Sequence, residues 1–346
     1  MPCRLQVRLA RTVASNLAVA ALAAAAATVA VADEPLAPGA SRHAAELSVN
    51  MLQSSYSRNW NGGDKGSLNW SVGFDGRHER QASARFNWQN RLQLAYGQNH
   101  QQARDAAGGL HWLAPDKSTD RIEFESLGRF TSASGWDPFV ALGFSSLFRD
   151  LSDAAGRDQN LNPLTFRESA GLSRQLVAKD KQSLLVRLGL ALSQSRRSFF
   201  SEPAPATTTR AETATTAAAE LVAEFRTPLA AGRADWESKL RASKPLTWSG
   251  KSTFEDGVEA VADLPADLAG YTTAVDLDWE NTLSANITKV ISVKLFTRWV
   301  YDKYDNSVKP VVDGDGALLN EADVLTAIRP AGQFKQTLAL GFGYKF

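Results

Sequence analysis

The sequence predicts an all-β fold, a transmembrane antiparallel up-and-down β-barrel of about 12 strands with short periplasmic turns and long external loops. Three observations predict it. Apolar residues recur at every second position through stretches spread along the chain, the connections between these stretches alternate short and long, and the last stretch ends on alternating aromatics.

One segment precedes the strands. Arg4, Arg8 and Arg11 lead into an uncharged apolar run over residues 17–32, and Ala30-Val31-Ala32 forms a small-x-small site before Asp33. This is the pattern of a secretory signal peptide cleaved after Ala32. An N-terminal membrane anchor fits less well, because alanine contributes little insertion free energy. Cys3, the single cysteine, leaves with the signal. The expected layout is a signal over 1–32 and a barrel over 33–346, placed in the cell outer membrane of a Gram-negative bacterium.

Composition excludes several classes. Lys and Arg number 38 against 37 Asp and Glu, a formal net charge of +1, which excludes a nucleic-acid binder driven by bulk charge. One cysteine excludes both a disulfide framework and a cysteine-rich zinc module. No stretch after Asp33 approaches the ~18 uncharged apolar residues that a membrane-crossing helix needs.

The strands are read from period two, which puts one oily and one wet face on each. A weak stretch near Leu47 comes first. Leu68, Trp70, Val72 and Phe74 follow, alternating with Asn69, Ser71, Gly73 and Asp75. Next come Phe86, Trp88, Leu92, Leu94 and Tyr96; Ile122, Phe124 and Phe130; and Val140, Leu142, Phe144 and Phe148. A weaker stretch near Leu172 precedes Leu184, Val186, Leu188, Leu190 and Leu192, and another near Leu221 precedes Trp236 and Leu240. The series closes with Val275, Leu277 and Trp279; Ile291, Val293, Leu295 and Trp299; and Leu338, Leu340, Phe342, Tyr344 and Phe346.

A half-buried strand of a soluble sandwich shows the same alternation, so length and loop rhythm decide. The stretches run about 10 to 14 residues, enough for a strand tilted ~45° to cross a bilayer. Short connections are expected near 78–82, 132–137, 178–181, 228–233 and 284–289. Longer ones are expected near 58–66, 98–118, 150–164, 195–214, 244–270 and 302–332. An up-and-down barrel with both termini in the periplasm produces this rhythm; Greek-key crossings do not.

The C-terminal stretch resembles the signal that the barrel assembly machinery reads in outer-membrane proteins, carried here by Gly341, Phe342, Tyr344 and Phe346, with Ala339 where a polar residue is usual. The expected partners are therefore outer-membrane lipid and that machinery. Trp60, Trp70, Trp88, Trp112, Trp136, Trp248 and Trp299 fall mostly toward strand ends, where interfacial girdles form.

A lipid-facing Arg or Lys costs about 2–4 kcal/mol at the midplane, so charges mark the lumen side. Opposite the apolar rows lie Arg91, Glu123, Glu125, Arg129, Arg187, Asp276, Asp278, Glu280, Lys294 and Arg298, with Asp235, Glu237, Lys239 and Arg241 among them. Arg174 falls in an apolar row and is read as a rim position. In a narrow barrel these charges pair across the interior, or form rings that set ion preference.

Catalytic signals are sparse. His43, His78, His100 and His111 are never three or four residues apart, so neither a metal nor a cofactor is expected. Gly62-Gly63 and Gly108-Gly109 read as loop turns, since no helix follows them. The alternative function is a lipid hydrolase of the barrel phospholipase type, which needs an outward His close to a Ser. His78 reads as opening a turn and His100 and His111 as lying in a loop, so that pairing is not formed by spacing. The two leading roles are a narrow channel and a structural, loop-presenting envelope protein.

From Tyr56 to Arg197 the sequence resembles a family of bacterial outer-membrane barrels of unknown function. The resemblance rests on Asn59-Trp60-Asn61-Gly62-Gly63, on Trp88, Asn90 and Gly97, on Lys117 to Asp120, and on Asn162-Pro163-Leu164. It implies export and a barrel, and no activity. Ala- and Thr-rich residues 204–219 depart from it and read as a surface loop.

Overall fold

A computed structural model describes residues 36–345 except 57–63, 107–108, 154, 180, 256–263, 266, 289–290, 315 and 330. The expected signal over 1–32, the Asn59–Gly63 motif and Phe346 lie outside the described residues. Twelve strands form the wall: β1 Ser41–Ser54, β2 Ser67–Ser83, β3 Phe86–Arg104, β4 Asp116–Phe130, β5 Asp137–Ser146, β6 Leu164–Lys179, β7 Gln182–Phe200, β8 Thr209–Leu229, β9 Ala234–Trp248, β10 Asp276–Asn286, β11 Ile291–Tyr301 and β12 Gln333–Lys345.

Every strand is antiparallel to its sequence neighbours, from β1 with β2 through to β11 with β12. β12 then returns to β1, with Glu46 opposite Lys345 and Val49 opposite Phe342. The pairing therefore returns on itself as a ring, and the fold is an up-and-down barrel closed at the seam between β1 and β12. A short piece, Leu110–Trp112, pairs with the far end of β3 as an outlying thirteenth strand. Among the described residues no helix is long and apolar enough to cross a membrane.

The alternation sorts the two faces. Leu142, Leu190 and Leu338 are 58%, 63% and 69% exposed on the outside of the wall, in rows with other apolar residues. The interior carries polar and charged side chains, plus an apolar cluster of Leu127, Phe139, Ala141 and Leu185 near the short-turn rim. Gly171 of β6 and Gly189 of β7 face each other in register, and a Cβ on Gly171 would sit 2.0 Å from the Leu188 carbonyl oxygen. Only glycine permits so close an approach of two backbones.

Several expected connections prove shorter, three of them markedly. β3 runs to Arg104 and β4 begins at Asp116, the tight turn after β2 begins only past Ser83, and β7 and β8 extend the wall to Phe200 and from Thr209. The expected loop over 195–214 is thus confined to 201–208, and most of the Ala- and Thr-rich stretch is strand. Near the rims both faces are wet, so the hydropathy contrast fades while backbone pairing continues. In β8 the outward Ala217 and Ala219 are too small to announce an apolar row.

A charge placed on the outer face tests which medium that face meets. Leu190→Arg is expected to lower the stability of the folded barrel in bilayers by about 2–4 kcal/mol, read from urea unfolding in vesicles. An unchanged midpoint would show that the face is not covered by lipid.

Candidate functional site

The interior is bridged by charges whose placement follows from period two. In β2, Asp75, Arg77 and Glu79 point inward between Phe74, Gly76 and His78. Arg77 reaches Glu237 of β9, nearly opposite in the ring, at 2.9 Å. Arg121 of β4 bonds Glu280 of β10, diametrically opposite, at 3.1 Å. Lys239 of β9 crosses to Glu125 of β4 at 2.6 Å, and Arg187 of β7 meets the same carboxylate at 2.7 Å.

The other charges singled out in the sequence take definite places. Arg91 binds Asp75 at 2.6 Å, Glu123 accepts from Arg121 at 2.5 Å, and Arg298 holds Asp278 at 2.7 Å while lying 3.3 Å from Glu280. Lys294 pairs with Glu46, and Arg129 lies 3.7 Å from Asp137 near the short-turn rim. Asp276 opens β10 opposite Ser243. Gly341, Phe342 and Tyr344 lie in β12, in register with Ser292, Ile291 and Leu47 respectively. Arg174 packs its guanidinium over Trp136, 5.5 Å from the ring centroid, beside the short turns.

Sequence reading missed Arg77, Arg121, Arg167, Glu220 and Glu224. Their signal was present as charge alternating with Phe74, Ile122, Phe166, Leu221 and Phe225, but alanines and a glycine diluted it. Glu220 accepts from both Arg167 and Arg241.

These groups line a chamber of about 230 Å³ inside the barrel, walled among others by Arg121, Arg167, Arg187, Glu220, Lys239 and Arg241. On the short-turn side it is backed by Leu127, Phe139 and Leu185, with Arg187 lying 5.7 Å over the Phe139 ring.

The long-loop rim carries a folded cap. A register shift between Ala217 and Ala218 places Thr247 and Pro245 opposite successive residues, so Leu246 bulges out. The bulge reverses the parity of β9 and turns Trp248 from the outer row into a buried position. Trp248, expected in a girdle, instead packs with Leu268, Tyr304, Val308, Val324 and Ala327. The short helices α1 Lys251–Glu255, α2 Leu268–Tyr271 and α3 Glu321–Ala327 belong to the loops that meet there. Trp248 donates from Nε1 to the Asn306 carbonyl at 2.9 Å, and the 1%-exposed Tyr304 donates to the Val308 carbonyl at 2.7 Å.

Arg329 ties the cap down, donating to Asp302 at 2.6 Å and Asp305 at 2.8 Å. Burial pushes the Asp302 carboxyl up to about 7 despite the Arg329 charge. Burial acts upward on Asp305 too, but the charges of Arg329 and Arg197 and the Ser307 hydrogen bonds hold it below the usual carboxylate range.

The histidines differ from expectation. His78 lies within β2 and His100 within β3, while His111 sits in the short Leu110–Trp112 strand. The backbone remains paired through these positions, and no turn opens at His78. His78 stacks on His43 at 4.7 Å and contacts Asn90 Nδ2 through Nδ1 at 3.3 Å. Ser126 lies one strand further on, its Oγ accepting the Trp88 indole N–H at 2.8 Å. Among the described residues no serine hydroxyl hydrogen-bonds to a histidine ring, so the hydrolase alternative lacks its nucleophile–base pair. Among the same residues no group of three or more His, Cys, Asp or Glu is gathered as a metal site.

Residues 51–150 match a protein family described as "Protein of unknown function (DUF3078)". No curated protein matches the chain in sequence. Among solved structures the chain is similar to an outer-membrane channel from Pseudomonas putida F1, at 10% identity and a TM-score of 0.39 over 92% of this chain and 100% of that one. It is similar to the translocator domain of the autotransporter NalP from Neisseria meningitidis, at 10% identity and a TM-score of 0.37 over 90% of each chain. It is also similar to OccK7 (OpdD) of Pseudomonas aeruginosa, at 9% identity and a TM-score of 0.25 over 88% and 97%.

The cap has a pH dependence of defined sign. With Asp302 raised to about 7, the closed cap keeps a proton that the open loop releases near a pH of about 4. The Asp302 contribution to closure is then full at a pH of about 4 and weakens as pH rises toward about 7, while Asp305, held low, withdraws its own contribution only below about 4. Hydrogen exchange of residues 302–332, corrected for intrinsic rates, is expected to show falling protection across this window. Asp302→Asn is expected to flatten the profile; an identical profile in the variant would show that another group is responsible.

Proposed function

We propose that this chain is an outer-membrane β-barrel acting as a narrow, charge-lined channel for small solutes. The observation that carries the reading is the polar chamber enclosed by a closed ring whose outside is apolar. A soluble barrel has no reason to invert its faces in this way, whereas a lipid-embedded one requires it. The cross-lumen pairs Arg77–Glu237, Arg121–Glu280 and Lys239–Glu125 narrow the bore to small ions and solutes.

In this reading residues 1–32 are a cleaved signal, the short-turn rim is periplasmic and the capped rim external. The strand with Gly341, Phe342, Tyr344 and Phe346 is what the barrel assembly machinery reads. A second role is favoured by one feature: the cap has its own packed core around Tyr304 and Val324, as a structural protein presenting an ordered outer surface would have.

Planar-bilayer recordings separate the two. The channel role predicts small discrete conductance steps, enlarged in the double variant Arg121→Gln with Glu280→Gln, which removes one bridge at unchanged net charge. Silence over a wide voltage range, with heat-modifiable gel mobility confirming the fold, would leave only the surface-presenting role.

A further inference from the structure

We infer that the lumen chamber is a binding site for a small, doubly charged oxyanion of the sulfate or phosphate type, held by Arg167, Arg187 and Arg241. The inference rests on reading the lumen as a solute path and adds a ligand class to it.

The chamber is short of acceptors. Seven basic side chains line it against five acidic ones. The carboxylates are already shared: Glu220 serves Arg167 and Arg241, Glu125 and Glu224 both serve Arg187 and Lys239, Asp75 serves Arg91, and Glu280 serves Arg121 and Arg298. After this sharing the Nε–H groups of Arg121, Arg167, Arg187 and Arg241 are buried without a hydrogen-bond acceptor. Arg241 Nε is 3.2 Å from Glu220, yet its N–H is not aligned on that oxygen. The Arg187 side chain is only 3% exposed, so bulk water does not serve it.

Buried donors without acceptors are uncommon in folded proteins and mark places where something else is bound. Here the deficit is of one sign and one geometry. Guanidinium groups converge on the chamber from β6, β7 and β9, and their planar forks match the oxygen edges of a tetrahedral oxyanion. Chloride is a single spherical acceptor with no oxygen edge for a planar fork, whereas sulfate presents paired oxygens on several sides. The Ser193 hydroxyl, which accepts from Arg167 at 2.8 Å, adds a donor on the same wall. Arg167 and Arg241 share the single carboxylate of Glu220, so each keeps a buried Nε–H for the oxygens of an added anion.

The test is calorimetric titration of the folded barrel in detergent with sodium sulfate, at constant ionic strength maintained with chloride. One saturable site per barrel is expected. Arg167→Gln and Arg241→Gln are each expected to weaken it about tenfold, the loss of a charge-assisted hydrogen bond. Arg174→Gln, on the outer wall over Trp136, is expected to leave it unchanged. Should either Gln variant lose heat-modifiable mobility, Arg187→Lys keeps the charge, removes the fork, and is expected to weaken binding several-fold. Absence of a saturable site in the wild-type barrel, or equal affinity in the lumen variants that fold, overturns the inference. Conductance without sulfate binding removes the site and keeps the channel; binding with silent bilayers keeps the site and removes the channel.

Discussion

Closure of the ring is the constraint on which the rest of this structure depends. Hydrocarbon offers no partner to a backbone N–H or C=O, so a sheet proposed to sit in lipid must pair both edges of every strand. Here the seam is the contact between β1 and β12, only four residue pairs from Glu46–Lys345 to Val49–Phe342. The first and last strands of the wall must both be in place before the barrel is closed. That requirement gives the terminal strand a weight out of proportion to its length, and Phe342 stands between Val49 on one side and Ile291 on the other.

Closure also dictates where the charges go. Once the outward positions are committed to apolar residues, period two delivers every alternate residue to a confined interior, where charges must find partners. In a ring of twelve, long side chains reach across: Arg121 meets Glu280 from the opposite wall. Such pairs add little net stability, since desolvation offsets much of their attraction. Their effect is geometric. They narrow the interior, and because arginine brings more donors than the shared carboxylates accept, they leave buried N–H groups without acceptors.

The strand count was legible because it follows from one periodicity set by backbone geometry, the same that alternates charges with the apolar rows. Leu184 to Leu192 announces β7 without ambiguity. What was illegible depended on departures from that period or on contacts distant in sequence. β8 hides behind Ala217 and Ala219, whose size gives no hydropathy signal although the backbone is fully paired. Trp248 sits where an interfacial tryptophan belongs, and only the bulge at Leu246 turns it inward. No local pattern marks that bulge. The partners of Glu220 on β6 and β9 come from strands on either side of the chain, so the acceptor deficit of the chamber exists only after folding.

The chamber is enclosed by elements of different kinds, and the difference assigns their mobility. Toward the short turns lies a plug of Leu127, Phe139 and Leu185, side chains of the wall itself. Moving it requires repacking strands whose backbones are hydrogen-bonded on both edges. Toward the long loops lies a cap built on Tyr304, Val324 and the Arg329 ion pairs, attached to the wall through connections, through Trp248, through Lys244 on the Thr273 carbonyl and beside Arg197, Phe199 and Glu212. Elements held by few contacts and by ion pairs open at lower cost than paired strands. In the proposed channel, passage would depend on rearranging side chains at the lower plug and on displacing a whole loop assembly at the upper one, and the second is the step that conditions such as pH can bias.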